Sequence, residues 1–136
     1  MTIMSIFLLA AMAETDFTVT THPHDGPLAP PPGYEIVWKD EFDGPALDLS
    51  KWRFDTSRNA EGWYNGELQY YAANRPKNLR IEDGRLIIEA WQEKLDPREF
   101  TDWGGQQYSS AKIVSKGPGW TYGFYEISAR LPCARG

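Results

Sequence analysis

Asn78-Leu79-Arg80-Ile81-Glu82-Asp83-Gly84-Arg85-Leu86-Ile87-Ile88-Glu89-Ala90-Trp91 is the stretch that decides the fold class. Two apolar-polar alternating runs flank Asp83-Gly84. A two-residue type I′ turn needs φ > 0 at both central positions, and Asp-Gly meets that need. The stretch therefore predicts a β-hairpin. Working outward, Tyr34-Glu35-Ile36-Val37-Trp38, Lys51-Trp52-Arg53-Phe54-Asp55 and Glu67-Leu68-Gln69-Tyr70-Tyr71 read as strands upstream. Gln107 to Lys116 and Tyr122 to Leu131 read as strands downstream, joined by the turn cluster Gly117-Pro118-Gly119. The nearest approach to a helical stripe is Leu47-Asp48-Leu49-Ser50-Lys51-Trp52, enough for at most one turn. Strands without crossover helices predict an all-β chain with an antiparallel sheet, hence a sandwich or barrel.

The first 33 residues read differently. Residues 1–13 carry no charged side chain, and Ala11-Met12-Ala13 fits a signal-peptidase site with cleavage before Glu14. This predicts a signal peptide and a secreted or periplasmic protein, although no Lys or Arg precedes the apolar run. That run is too short to span a bilayer as a helix. Residues 14–33 are rich in Thr and Pro, ending in Pro30-Pro31-Pro32-Gly33, and read as an extended linker. His22 and His24 fall in that linker and are expected to be solvated, since a metal site needs further ligands on a rigid shell. Residues 34–136 are the expected β-domain.

The net charge is −5, with acidic and basic residues interspersed, which argues against nucleic acid or an anionic membrane as partner. Cys133 is the single cysteine, so no intrachain disulfide can form, and no His near it in sequence supports a nucleophile. Six Trp stand out. Trp38, Trp52 and Trp91 lie inside strand runs and are expected in the core. Trp63, Trp103 and Trp120 lie beside Gly and polar residues, where a flat ring with polar neighbours suits a sugar face.

Taken in order, Val37-Trp38-Lys39-Asp40-Glu41-Phe42-Asp43, Leu47-Asp48-Leu49-Ser50-Lys51-Trp52, Asn65-Gly66-Glu67-Leu68-Gln69-Tyr70-Tyr71, the hairpin, Tyr108-Ser109-Ser110-Ala111-Lys112-Ile113, and Tyr122-Gly123 before Leu131-Pro132 form a series. The series resembles the N-terminal part of glycoside hydrolase family 16, most closely its laminarinase-like endo-β-1,3-glucanases. The resemblance implies a β-jelly roll, concanavalin A-like, incomplete at the C-terminus here. It implies retaining hydrolysis of internal β-1,3 or mixed β-1,3/1,4 glucosidic bonds, with a β-glucan as partner, no required cofactor and a monomeric complete protein.

Retaining chemistry needs two carboxylates about 5–5.5 Å apart. The family carries them in a Glu-x-Asp-x-x-Glu or Glu-x-Asp-x-Glu strand. No such set occurs in this sequence: Glu41-Phe42-Asp43 begins it, but Gly44 and Pro45 follow. The resemblance places the catalytic strand after the Leu131-Pro132 segment. The chain alone is therefore expected to be inactive and, with strand edges left unpaired, poorly soluble. What the resemblance leaves here is substrate binding by Asn65 and by Lys112, which stands where the family commonly has an Arg. It also implies a structural calcium, with Glu41 and the Gly84 carbonyl among its ligands and a further carboxylate missing. A lectin-like glucan-binding sandwich and a non-functional gene fragment are the alternatives.

Overall fold

The computed structural model describes the backbone of residues 5–11, then residues 29–117 and 119–131, with only the backbone of Asn65. His22, His24 and Cys133 lie outside the described residues, as does most of the expected linker. Among the described residues ten strands run β1 Ser5–Ala11, β2 Tyr34–Asp40, β3 Trp52–Phe54, β4 Gln69–Tyr71, β5 Leu79–Ile81, β6 Leu86–Ile88, β7 Trp91–Gln92, β8 Tyr108–Ser110, β9 Ile113–Ser115 and β10 Phe124–Ser128. They form four small sheets, ordered β10-β1-β2, β3-β9, β4-β8-β7 and β5-β6. The chain is all-β, and no described helix is long and apolar enough to cross a membrane.

The hairpin forms as its sequence requires. β5 and β6 pair antiparallel, Leu79 opposite Ile88 and Ile81 opposite Leu86. Asp83 and Gly84 both adopt positive φ, 52° and 65°. At Leu47–Trp52 the backbone makes the single helical turn expected, the Trp52 N–H donating to the Asp48 carbonyl at 2.9 Å. A short 3-10 turn at Tyr64–Gly66 was not expected.

Three expectations are corrected. First, β4 and β8 run parallel, Gln69 opposite Tyr108 and Tyr71 opposite Ser110, so pairing is not purely antiparallel. Sequence separates these strands by the hairpin and β7, which gives the chain room to return in the same direction. Second, the run 107–116 is two strands. β8 pairs in one sheet, and β9 pairs with β3 in another, Phe54 opposite Ile113. The break falls at Ala111-Lys112. Third, Trp91 is 43% exposed. It lies on the edge strand β7, where its indole N–H donates to the Lys77 carbonyl and the Lys77 ammonium sits 4.7 Å from the ring centre. Ser5–Ala11, within the expected signal segment, runs as β1 between β2 and β10.

The main core gathers Phe42, Trp52, Leu79, Leu86 and Ala111, with Trp38, Leu47, Phe54, Ile81, Ile88 and Ile113 packed around it. Trp52 meets Trp38 edge-on at 5.2 Å and stacks on Phe42 at 6.0 Å. Its indole N–H donates to the buried Asp40 carboxylate at 2.6 Å, which settles the one polar atom of a ring otherwise in apolar surroundings. Burial of a side chain such as Leu86 contributes about 1.5–3 kcal/mol. A smaller core of Tyr70, Ala72 and Leu95, flanked by Phe100 and Trp103, lies under the β4-β8-β7 sheet.

Candidate functional site

Alternation along β4 and β8 builds the site. Tyr70 and Ser109 point inward and are buried. The intervening residues Gln69, Tyr71, Tyr108 and Ser110 therefore share the opposite face, as the period of two requires. That face lines a trough of about 540 Å³ with Glu67, Leu68 and Ala90. A neighbouring hollow of about 550 Å³ opens between the 60–62 and 104–107 loops, and the two share Glu67, Leu68 and Tyr108.

Lys112 stands beside this face because the chain changes sheets there. Its ammonium lies 3.9 Å from the Trp63 ring centre, 5.8 Å from that of Tyr71 and 3.4 Å from the Asp55 carboxylate. The backbone fixes the same pair, the Asp55 N–H donating to the Lys112 carbonyl at 2.9 Å. The Ser57 hydroxyl, donating at 2.7 Å, then the Ser57 N–H and after it Lys112 hold the Asp55 carboxyl below the usual carboxylate range, against the cost of burial. Trp63 meets Tyr71 edge-on at 4.9 Å. The Tyr71 hydroxyl donates to Glu67 at 3.1 Å, and burial, followed by the Glu67 bond, pushes that phenol up. Gln69 donates to the same Glu67 carboxylate at 2.8 Å. Tyr71, Tyr108 and the Glu67 carboxylate thus line one trough, and Lys112, held between Asp55 and the Trp63 ring, stands 5.8 Å from the Tyr71 ring centre.

Asn59 holds these parts in place and is 1% exposed. Its carbonyl oxygen accepts from the Trp63 indole N–H at 3.1 Å and the Tyr71 N–H at 3.0 Å. Its amide donates to the Tyr71 carbonyl and to Asp102, and its backbone carbonyl accepts from the Gln106 amide at 2.6 Å. Asp102 also accepts from the Tyr70 hydroxyl at 2.7 Å. The 102–106 loop is so clamped to the 59–63 segment. Close approach explains Gly104: a Cβ there would stand 3.1 Å from the Ala60 carbonyl oxygen.

The sequence-predicted residues separate. Lys112 and Trp63 come together, though Trp63 is buried, with Lys112 over its ring. The Asn65 backbone lies in the 3-10 turn directly after Trp63. Trp103 packs against the smaller core, its indole N–H donating to the Gln106 carbonyl. Trp120 packs on Trp38 at 5.9 Å, and no described contact joins it to the Lys112 group. Sequence reasoning missed Asp55, Asn59, Tyr71 and Tyr108. The alternation in Gln69-Tyr70-Tyr71 and Tyr108-Ser109-Ser110 would have supplied the two tyrosines, had the parallel pairing been known.

Glu41 and Gly84 lie apart from the trough. Glu41 is ion-paired with Lys39 at 3.9 Å, and a Cβ on Gly84 would stand 4.0 Å from the Asp43 carboxylate. Among the described residues no three of His, Cys, Asp or Glu group to hold a metal. Calcium takes six to eight oxygens, of which Glu41 and the Gly84 carbonyl would supply two.

No family model matches the chain. A β-glucanase of Rhodothermus marinus is 47% identical over 107 residues, 77% of this chain and 34% of that protein. The solved structure of a non-specific endo-β-1,3(4)-glucanase from family GH16 is 56% identical with a TM-score of 0.58, covering 65% of this chain and 33% of its own. A mutant of that enzyme was co-crystallised with a glucan oligosaccharide and presents 1,3-β-D-cellobiosyl-glucose at its active site. The laminarinase of Rhodothermus marinus is 42% identical with a TM-score of 0.53, over 65% of this chain and 32% of its own. The chain thus spans about a third of the length of the proteins it matches. On these likenesses in sequence and in sandwich fold, the chain is a partial laminarinase-like protein of glycoside hydrolase family 16.

Proposed function

We propose that these 136 residues form the glucan-holding part of a retaining endo-β-1,3(4)-glucanase. The observation that carries this is the trough lined by Tyr71, Tyr108 and Glu67, with the Lys112 ammonium 5.8 Å from the Tyr71 ring centre. A glucan is neutral, with apolar C–H faces and a rim of hydroxyls. Aromatic faces take the first and fixed carboxylates and ammonium groups take the second. Hydrolysis with retention needs a nucleophilic carboxylate and an acid/base carboxylate about 5–5.5 Å apart. This sequence holds no Glu-x-Asp-x-x-Glu set to supply them. The chain by itself therefore binds and positions glucan without cleaving it. Affinity electrophoresis through gels containing laminarin tests the first half: retardation relative to a glucan-free gel is the expected result. Reducing sugar released from laminarin above a buffer control would overturn the second half.

Export is part of the same proposal. Cleavage before Glu14 would remove β1 and leave β2 and β10 without their shared neighbour. N-terminal sequencing of protein recovered outside the cytoplasm, beginning at Glu14, is the expected result. An intact Met1 in that material would refute cleavage.

A further inference from the structure

We infer that the gap between β2 and β10, which residues 5–11 fill as β1, is a strand-acceptor site for an extended, uncharged, largely apolar peptide segment supplied in trans once β1 is withdrawn. Export as proposed above is one event that withdraws β1. The site itself rests on the geometry of the two strands and is independent of the glucan reading. The gap has two prepared edges. β1 runs antiparallel to both neighbours, Ser5 to Leu9 facing Ser128 to Phe124, and Ile6 to Ala11 facing Asp40 to Tyr34. β2 and β10 therefore run parallel to each other two strand spacings apart, about 9.5 Å, too far to pair directly. With the gap empty, each presents a row of unpaired N–H and C=O groups, the template on which another strand adds.

The walls are joined without help from the occupant. Tyr34 of β2 meets Phe124 of β10 edge-on at 6.3 Å. Trp38 of β2 packs on Trp120 at 5.9 Å, and the Trp120 carbonyl accepts from the Tyr125 hydroxyl at 2.8 Å. Phe124 and Tyr125 are successive on β10, so these two clasps lie on opposite faces of the sheet. Trp38 also ties β2 to the main core through Trp52 at 5.2 Å. The connection points the same way. Neighbouring antiparallel strands need only a two-residue turn, yet residues 12–33 separate β1 from β2. No tight hairpin places β1, and the gap itself sets its register. The lining selects the occupant. Trp38 and Tyr125 face each other across the position of Leu8, and Tyr125 and Ile127 are about half exposed. An apolar side chain at that position covers open ring surface, and the present occupant, Ser5–Ala11, carries no charge.

The test is fluorescence anisotropy of a labelled peptide with the sequence of Ser5–Ala11 and a lysine tail for solubility, titrated with the full 136-residue chain. The double variant Phe7→Pro/Leu8→Pro withdraws β1, because successive N–H groups point to opposite neighbours and each ladder loses a donor. The peptide is expected to bind this variant roughly tenfold or more tightly than the wild type, where the tethered strand competes at high effective concentration. In the variant it is also expected to protect the amides of 34–40 and 124–128 from hydrogen exchange. A peptide carrying the same two prolines is expected not to bind. If the variant alone has lost its near-ultraviolet circular dichroism, the peptide is expected to restore it. Equal binding to wild type and variant overturns the acceptor site. So does a variant that the peptide neither binds nor restores, and so does equal binding of the proline-bearing peptide. Each of these results leaves the glucan reading intact.

Discussion

Replacing Glu93 with Gln should weaken the fold in a pH-dependent way. Glu93 follows β7 and reaches across to residues far from it in sequence. Arg75 donates to it at 2.6 and 3.3 Å, Lys77 at 2.6 Å, and the fully buried Ser109 donates its hydroxyl to the same carboxylate. Asn78, also fully buried, joins the group, accepting from Arg75 at 2.7 Å and donating to Ser109 at 2.9 Å. The Arg75 bonds above all, then Lys77 and Ser109, hold the Glu93 carboxyl down to about 2 from its ordinary 4.5, against the opposing cost of burial. Taken whole, that difference corresponds to about 3 kcal/mol. The side chain is still 18% exposed, and screening by solvent leaves on the order of 1–2 kcal/mol.

The sign follows from the lowered value. The folded state keeps the carboxylate charged where the unfolded chain has begun to protonate it. The stabilisation is therefore fully present above about pH 4.5 and is lost as pH falls through about 2. Urea unfolding followed by tryptophan fluorescence, on wild type and Glu93→Gln in parallel, measures it. The variant should be less stable by about 1–2 kcal/mol near neutral pH. That difference should shrink by roughly half on going to about pH 3, because only the wild type still titrates there. A difference below about 0.5 kcal/mol at neutral pH would refute the reasoning, as would one that does not change with pH.

Asn59→Ala should cost about 2–3 kcal/mol in the same assay, since it leaves several buried donors and acceptors without a partner. An unchanged urea midpoint would show that water replaces the amide. Gly84→Ala should cost about 1 kcal/mol, because φ of +65° suits an L-residue poorly in the hairpin turn, and a calorimetric melting temperature equal to wild type would count against that strain. Lys112→Ala should reduce retardation on laminarin gels and stability by about 0.5–2 kcal/mol through the lost contact with Trp63. Lys112→Arg should keep most of that stability, and an Arg variant as damaged as Ala would mean that the Asp55 and Trp63 geometry demands an ammonium.

The hairpin, the single turn at Leu47–Trp52 and the all-β class were legible because each rests on residues adjacent in sequence. Asp83-Gly84 carries its turn wherever it stands, and alternation marks a strand without reference to its partner. Pairing was not legible in the same way. The hydrophobic pattern of Tyr108-Ser109-Ser110 does not say whether its neighbour runs with it or against it. Nor does the pattern of 107–116 say that the chain changes sheets at Ala111-Lys112. Trp91 looked like core because it ends an apolar run, and only its place on an edge strand exposes it.

The site divides in the same way. Lys112 and Trp63 were marked by residue type and by resemblance, but Trp63 turned out to be buried beneath Lys112, and Trp103 and Trp120 to pack elsewhere. The sequence by itself determined the β-class, the local turns and the absence of a paired-carboxylate motif, because these depend on short-range conformational preference and on composition. Tertiary structure alone decided that Tyr71, Tyr108 and Glu67 line one trough, with Asn59 buried against the Tyr71 backbone and Lys112 held beside the Tyr71 ring by Asp55 and Trp63. Residues far apart along a chain meet only through sheet register, and register is set by burial of the whole opposite face.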